Sequence, residues 1–439
     1  MRRSELKHLS VLMATGFVDM IGFLMVLPLL PFYAERLGAD PVVVTFLVAA
    51  FALAQLLSSP FWGRFSDRLG RRPMIILGLV VSAGAFALFG LASGMIGSGQ
   101  QEFLGVEHGG LWLLFLSRLI QGAGGGTTSV VHAYVSDVVP SGERAKALGW
   151  MSAASSAGVT LGPALGSIAA GWGETAPGFL AAALCLANAV FAWRLLPEPK
   201  RLEEGGEAGG PVVAAEQESI LVAIRRVLAH PRREIHSLIF IYAFGMMAFM
   251  AMNSVVALFL ERRFGATDET IGWFYVYVGA LSFVMRALIL GPVVSRFGEV
   301  RTLRLGALSI ATGLVAISFT RDFGLSTAGN LMVLAAAAAF VPIGTALLFP
   351  ATTSQISGRA KRRETGQTLG VQQAFGGVSR VVGPIWAGFA FRDLGVPTPF
   401  WIGAAIMLGV FLIGLQVHPL GLGGRSGVVE ALGAEEEGV

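Results

Sequence analysis

Twelve mostly apolar stretches, each long enough to cross a bilayer, recur along this chain. They lie at 9–31, 43–62, 74–97, 111–136, 146–171 and 176–196, then at 236–260, 270–294, 302–320, 328–355, 367–391 and 398–417. A spanning helix needs roughly 20 such residues, and lipid offers no water to an unpaired backbone group, so each stretch is expected to be a membrane helix. Composition agrees: 54% of the 439 residues are hydrophobic and 14% are charged, and mean hydropathy is +0.68. That leaves too few polar side chains to coat a water-soluble protein. The basic N-terminus runs straight into the first stretch with no small-residue cleavage site, so it is read as a retained helix.

Charge placement sets the orientation. With the first residues inside, 24 of the 32 lysines and arginines fall in inside loops. Five (Arg36, Arg262, Arg263, Arg321 and Arg392) fall outside, and three (Arg118, Arg286 and Arg380) lie within helices. One missed helix would invert every later loop, so this split supports the count of twelve and cytoplasmic termini in an inner membrane. The basic balance, with pI near 9.5, is therefore topological, and no nucleic acid partner is expected. Cys185 is the single cysteine, which excludes an intrachain disulfide, and the six histidines show no metal-ligand spacing. His132, in the fourth stretch, is read as a packed histidine.

The fold class expected is an all-α membrane protein of two pseudo-symmetric six-helix bundles. Residues 1–196 would form the first bundle and 236–417 the second. Residues 197–235 would be a cytoplasmic loop, Gly-rich and acidic at first and then an amphipathic helix; 418–439 would be a disordered tail. The halves repeat. "ERAKALG" from Glu143 precedes Gly162-Pro163, and "ETGQTLG" from Glu364 precedes Gly383-Pro384, both at an offset of 221. Gly63, Arg68 and Gly70 have worn counterparts in Gly291, Arg296 and Gly298, offset by 228. Parallel duplication of this kind builds transporters whose substrate path runs between the halves.

Three motifs and one acid stand out. "GRFSDRLGRRP" places Gly63, Asp67, Arg68, Gly70, Arg71 and Arg72 between stretches 2 and 3. Its glycines suit a very short reversing loop, Asp67 can face a positive helix N-terminus, and an arginine can reach Asp137 at the foot of stretch 4. A positive-inside loop explains the arginines alone, without the aspartate or the glycine spacing. In stretch 4, "LFLSRLIQGAGGG" sets Arg118 about two turns into the membrane, with Gln121 one turn on. Such an arginine needs a partner or a wet cavity, unless it snorkels to the outer interface. Stretch 5 carries Gly158, Gly162 and Gly166 on one face beside Pro163, which permits close helix approach and a bend. Small-residue packing without directional meaning produces the same pattern. Asp19 is the one acid deep in any stretch, and an intramembrane acid is expensive without a use, although a structural hydrogen bond to backbone or to Arg118 is open to it.

These motifs, in this order and in these helices, resemble the major facilitator superfamily over nearly the whole chain. Within it they are similar to the twelve-helix drug:proton antiporters, including tetracycline efflux proteins. The resemblance implies that the Gly63–Arg72 cluster with Asp137 latches the bundles on the cytoplasmic side. It also implies that Asp19 and Arg118 couple protons, and that Gly158, Gly162, Pro163 and Gly166 are an antiporter signature. The chain departs from tetracycline exporters, which carry further acids in helices 3 and 9 and a histidine in helix 8. Those places hold Ala85, Ile310 and Ser282. Arg286 and Arg380 appear instead, and with Gln121 they are the candidate substrate contacts; Arg286 is equally open to holding a helix-end carbonyl. Three buried positive charges against one negative suit an anionic or zwitterionic amphiphile better than a cationic drug.

The expectation is a secondary transporter exporting a small hydrophobic or amphiphilic compound in exchange for protons, acting as a monomer in the bilayer without a cofactor. No nucleotide-binding loop and no nucleophile–base pair is found, so neither ATP use nor an enzyme is expected. Two alternatives stand beside it: a proton-coupled uptake carrier for an organic anion, and a receptor or scaffold that keeps the fold without transport.

Overall fold

A computed structural model describes residues 3–96, 102–103, 106–139, 143–198, 220–231, 233–321, 323–360 and 364–419. Most of the central loop and the tail, read above as Gly-rich and disordered, lie outside the described residues. So do the side chains of His132, Arg144 and Lys146 and the basic run at 361–363.

The first stretch is two helices, α1 (Arg3–Val26) and α2 (Leu30–Arg36), parted at a turn where Pro28 and Pro31 cannot donate backbone hydrogen bonds. Then come α3 (Pro41–Leu69) and α4 (Arg71–Ser93). A two-residue antiparallel pairing, β1 (Glu102–Phe103) with β2 (Val106–Glu107), precedes the fourth stretch. That stretch breaks at Gly124–Gly126 into α5 (Gly109–Gly124) and α6 (Thr127–Val138), because three successive glycines hold a helix weakly. Next are α7 (Arg144–Ala170), α8 (Ala176–Leu195) and α9 (Ile220–Ala229), the amphipathic helix expected in the central loop.

The second half starts with α10 (Glu234–Phe264). The eighth stretch is α11 (Ile271–Val284), a π-helical turn over Met285–Ile289, and α12 (Leu290–Phe297). It ends with α13 (Glu299–Phe319), α14 (Thr327–Arg359), α15 (Thr365–Asp393) and α16 (Thr398–Leu415). Among the described residues nine helical spans are long and apolar enough to cross a membrane. The expected fourth, fifth and eleventh are not among them. One is split, and α7 and α15 are diluted by the glycines, serines and glutamines that carry their motifs.

The repeat is visible in backbone geometry. Gly70 before α4 has φ +102° and ψ 154°; Gly298 before α13 has φ +76° and ψ 159°. A side chain rarely tolerates that region, so glycine marks both turns. Glu143 and Glu364 stand before α7 and α15 with φ of −109° and −107°. In the first half α1 packs on α7 and α8, and α4 on α5 and α8; in the second α10 packs on α15 and α16, and α13 on α14 and α16. Two seams join the halves, α3 against α15 and α7 against α11, and the repeat exchanges one seam for the other. Both termini of the helical core lie at one end, here the near end; the loops after α2, α7, α10 and α15 mark the far end.

Candidate functional site

Between the halves, side chains from α1, α3, α5, α7, α10, α11, α14 and α15 enclose about 450 Å³, the size of a drug-binding pocket. The wall is mainly apolar. Phe23 and Phe51 stack with centroids 4.8 Å apart at 29°, and Phe249 and Phe283 face them from the second half. Asp19, Arg118, Gln121, Asn253, Arg286 and Arg380 supply most of the polarity, so the structure brings all five candidate coupling and substrate residues to one cavity.

Asp19 is half-buried on α1 and is the only carboxylate in this wall among the described residues. It has no hydrogen bond or ion pair with any of them. It also borders a second cavity of about 40 Å³ inside the first half, with the hydroxyls of Thr15, Thr127 and Ser155 around it. That space is large enough for a water molecule. Arg118 is 1% exposed, so it does not snorkel to an interface. It does not pair with Asp19 either. Its Nη2 donates to Ser117 Oγ at 3.4 Å, its guanidinium lies 5.4 Å from the Phe89 ring centre, and Nε and Nη1 have no partner. Ser117 in turn donates to the Ala85 carbonyl at 2.7 Å, fixing α5 on α4. Gln121 is 4% exposed with its Oε1 unpartnered.

The near-end cluster differs from its expected form. Helix α3 continues to Leu69, so Gly63, Asp67 and Arg68 are helical and only Gly70 makes the turn. Hydrogen bonding by successive residues carries the helix past its apolar part, where hydropathy no longer marks it. Arg71 is the hub: its Nε lies 3.1 Å from Asp137 Oδ2 and its Nη1 2.6 Å from Asp67 Oδ1. Arg72 donates to the Trp193 carbonyl. All of these partners are in the first half; Asp67 is 63% exposed and Arg68 is exposed, and neither bonds to a helix end of the second half among the described residues. Sequence reasoning missed Glu198, whose carboxylate accepts from the main-chain N–H groups of Arg71 (2.6 Å) and Arg72 (3.1 Å). It neutralises the positive N-terminus of α4. The adjoining Pro197 carbonyl accepts from Tyr134 Oη at 2.5 Å. The glutamate between two prolines in "LPEP", just past the end of α8, was the available signal.

The glycines of α7 have a clear geometric reason. A Cβ on Gly158, Gly162 or Gly166 would strike the carbonyl oxygens of Phe17, Ile21 and Met25 on α1. Both series advance by four, so two helix faces are in register. Gly383, the counterpart of Gly162, meets the Met247 carbonyl on α10 in the same way. Pro163 lines the cavity, and its carbonyl is approached by Gly272 of α11.

The far end is closed by bonds between the halves, also missed in the sequence. Arg36 bridges to Asp268 at 2.9 Å and Glu174 at 3.2 Å. Arg262 meets Glu35 at 3.2 Å, and Arg392 meets Asp40 at 3.1 Å. Ser167 Oγ donates to the Asp268 carbonyl at 2.6 Å and accepts from Gly272 N at 2.9 Å. In the sequence these arginines stand out only as the few basic residues of the outside loops.

Comparisons with known proteins agree with this architecture. The family model of the Major Facilitator Superfamily matches residues 12–326 and again 238–425. Multidrug resistance protein 2 of Bacillus subtilis (strain 168) is 29% identical over 400 residues, covering 91% of this chain and 92% of its own. The class B tetracycline resistance protein of Escherichia coli is 24% identical over 404 residues, covering 91% and 92%. The quinolone resistance protein NorA of Staphylococcus aureus (strain COL) is 26% identical over 409 residues, covering 93% and 96%. Among solved structures, a D-xylose-proton symporter superposes with TM-score 0.71 at 17% identity over 94% of this chain and 98% of its own. A human organic anion transporter does so with TM-score 0.64 at 22% identity over 94% and 100%. The duplicated six-helix halves, the cavity between them and the match along both halves agree: this multi-pass membrane protein belongs to the Major Facilitator Superfamily.

Proposed function

We propose that this protein is a secondary active transporter that exports small hydrophobic or amphiphilic compounds in exchange for protons, by alternating access. The resistance functions named for its relatives support efflux. The observation that carries the coupling is Asp19, a carboxylate without a partner among the described residues that borders both the cargo cavity and a second, small cavity inside the first half. A group so placed can take a proton from one side while cargo occupies the other. Arg118, buried beside the same cavity with two unsatisfied nitrogens, sets the field around it.

The near end is the cytoplasmic face of the inner membrane, with both termini there, and the bilayer is the solvent of a monomer. The molecule described is clamped at the far end, which on this reading is the inward-facing state. Residues 1–196 and 236–417 rock about the two seams, with 197–235 as the tether and 418–439 as the tail. When the far end opens, Asp67 and Arg68, exposed here, dock on the second half while Arg71, Arg72 and Asp137 hold the cluster together. Gly63, with open space around it, lies on the docking face. Gly158, Gly162, Pro163 and Gly166 keep α1 and α7 moving as one piece, so that Asp19 travels with the α7–α11 seam.

The test is proton flux in proteoliposomes under an imposed pH gradient, with a panel of amphiphiles added to wild type and Asp19→Asn. Proton release on adding a compound, lost in the variant while cargo still binds, supports exchange through Asp19. Equal responses would remove Asp19 from the coupling. A second reading, uptake of an organic anion together with a proton, is favoured by Arg286 and Arg380; it reverses the direction of proton movement in the same assay.

A further inference from the structure

Arg286 and Arg380 are cavity charges that the exchange mechanism does not use. Both line the wall on the side of the second half, and neither makes a hydrogen bond or ion pair with a described residue. The bland explanation for Arg286, a bond to a helix-end carbonyl, is therefore not realised. Its position is unusual as well: it sits in the π-helical turn Met285–Ile289. Such a turn inserts a residue into the helix and redirects side chains, frequently at functional sites. Arg380 lies in the middle of α15, away from either helix end.

Counted with Arg118, the cavity wall holds three guanidinium groups against one carboxylate, Asp19, among the described residues. Uncompensated positive charge at membrane depth is costly and persists where it serves a ligand. Arg118 is already turned to Ser117 and Phe89. The other two make no hydrogen bond or ion pair with a described residue, and a guanidinium fork matches the oxygens of carboxylate, sulfonate or phosphate. Opposite them, Phe23 and Phe51 of the first half offer an apolar wall, and Phe249 adds to it from the second half.

We propose that Arg286 and Arg380 form an acid-binding subsite in the second half of the cavity, and that the transported amphiphile carries a carboxylate, sulfonate or phosphate group with an apolar body. This rests on the reading that the cavity binds cargo. It fixes the charge of the cargo and is independent of the direction of transport.

The test compares a fluorescent acid, dansylaminoundecanoate, with its primary amide, which has the same body and no charge. Binding is titrated to the full-length protein in phosphatidylcholine nanodiscs. Wild type should prefer the acid by about tenfold or more, as charge-assisted hydrogen bonds to two guanidinium groups imply. In Arg286→Gln/Arg380→Gln the ratio should fall towards one, and in Arg286→Lys/Arg380→Lys it should partly recover. A ratio within each variant is insensitive to the fraction of folded protein. Equal binding of acid and amide by wild type would overturn the subsite, even if both compounds drive proton exchange. Selective binding of the acid without proton movement in proteoliposomes would leave the subsite standing and sink the exchange reading instead. Nanodiscs containing phosphatidylglycerol separate the remaining source of acid: if that lipid abolishes the acid's advantage, the arginines hold a lipid headgroup and the cargo proposal fails.

Discussion

Arg36 Nη1 lies 2.9 Å from Asp268 Oδ2 and 3.2 Å from Glu174 Oε1, so one side chain of α2 ties the turn before α8 to the turn after α10. Glu174 belongs to the same half as Arg36 and Asp268 to the other, which makes Arg36 a bridge anchored on its own side. Its side chain is 39% exposed. Exposed ion pairs such as Arg392–Asp40 are worth about 0.2–1 kcal/mol each; the Asp268 side chain is 10% exposed, and the clamp as a whole is built from several separate bonds that can release together. A carrier that alternates needs a closure of this strength rather than a permanent one.

Loosening the clamp should therefore shift the resting population. Asp268→Asn removes the charge facing Arg36 and leaves the main-chain carbonyl that accepts from Ser167. A label-free background is available because Cys185, the single cysteine, is buried and replaceable. With Cys185→Ala and Val48→Cys placing one thiol in the cavity wall, labelling by an impermeant maleimide added outside should rise roughly two- to fivefold with Asp268→Asn. An unchanged rate would show that the apolar seams alone hold the far end.

The glycine stripe of α7 makes a sharper stability prediction. Gly162→Val would drive a branched side chain into the Ile21 carbonyl of α1, and overpacking of this kind costs about 1–3 kcal/mol or more. Gly366→Ala on α15 is the control, since nothing lies within 4 Å of a Cβ there and alanine favours helix by up to about 1 kcal/mol. Thermal unfolding in detergent should show a clear loss for the first and none for the second. Equal effects would mean that α1 and α7 are not in close contact.

That stripe was legible because its signal is local: three glycines at a spacing of four define a helix face whatever lies opposite. The same holds for the twelve apolar stretches and for the offsets of the repeat. The far-end clamp was illegible for the opposite reason. Arg36 and Asp268 are 232 residues apart, one ends the short helix α2 and the other stands in the loop after α10, both places where a charge is ordinary, and only the packing of the two halves brings them together. Asp19 and Arg118 fall between the two cases. Their burial beside one cavity followed from their depth in apolar stretches, but their lack of direct pairing depends on side-chain geometry that no spacing encodes.

Glu198 gives a test of how the near-end cluster is held. It accepts two main-chain N–H groups at the start of α4, where a carboxylate both caps the helix and meets its positive end. Glu198→Ala should destabilise the protein by about 1–2 kcal/mol, and Glu198→Gln by less, since the amide oxygen still accepts. If both variants unfold at the wild-type temperature, the contact is incidental and Gly70 alone sets the turn.

The Arg392–Asp40 bond of the clamp should resist acid. Burial pushes the Asp40 carboxyl upward, but the Val43 N–H at 2.8 Å and the Arg392 guanidinium at 3.1 Å outweigh it and hold the carboxyl below its ordinary value. A carboxyl lowered in the clamped form contributes its full share above the ordinary carboxylate range, and loses it only as pH falls through the lowered value. Asp40→Asn should therefore raise outside labelling of the Val48→Cys thiol by the same factor at pH about 5.5 and about 8, once the labelling chemistry is normalised to a free thiol. The variant and the parent should converge only below the ordinary carboxylate range. A difference that already shrinks between those two pH values would place a proton on Asp40 in the working range, and would make the far-end clamp, rather than the cavity carboxylate Asp19, a point at which protons act on the opening of the carrier.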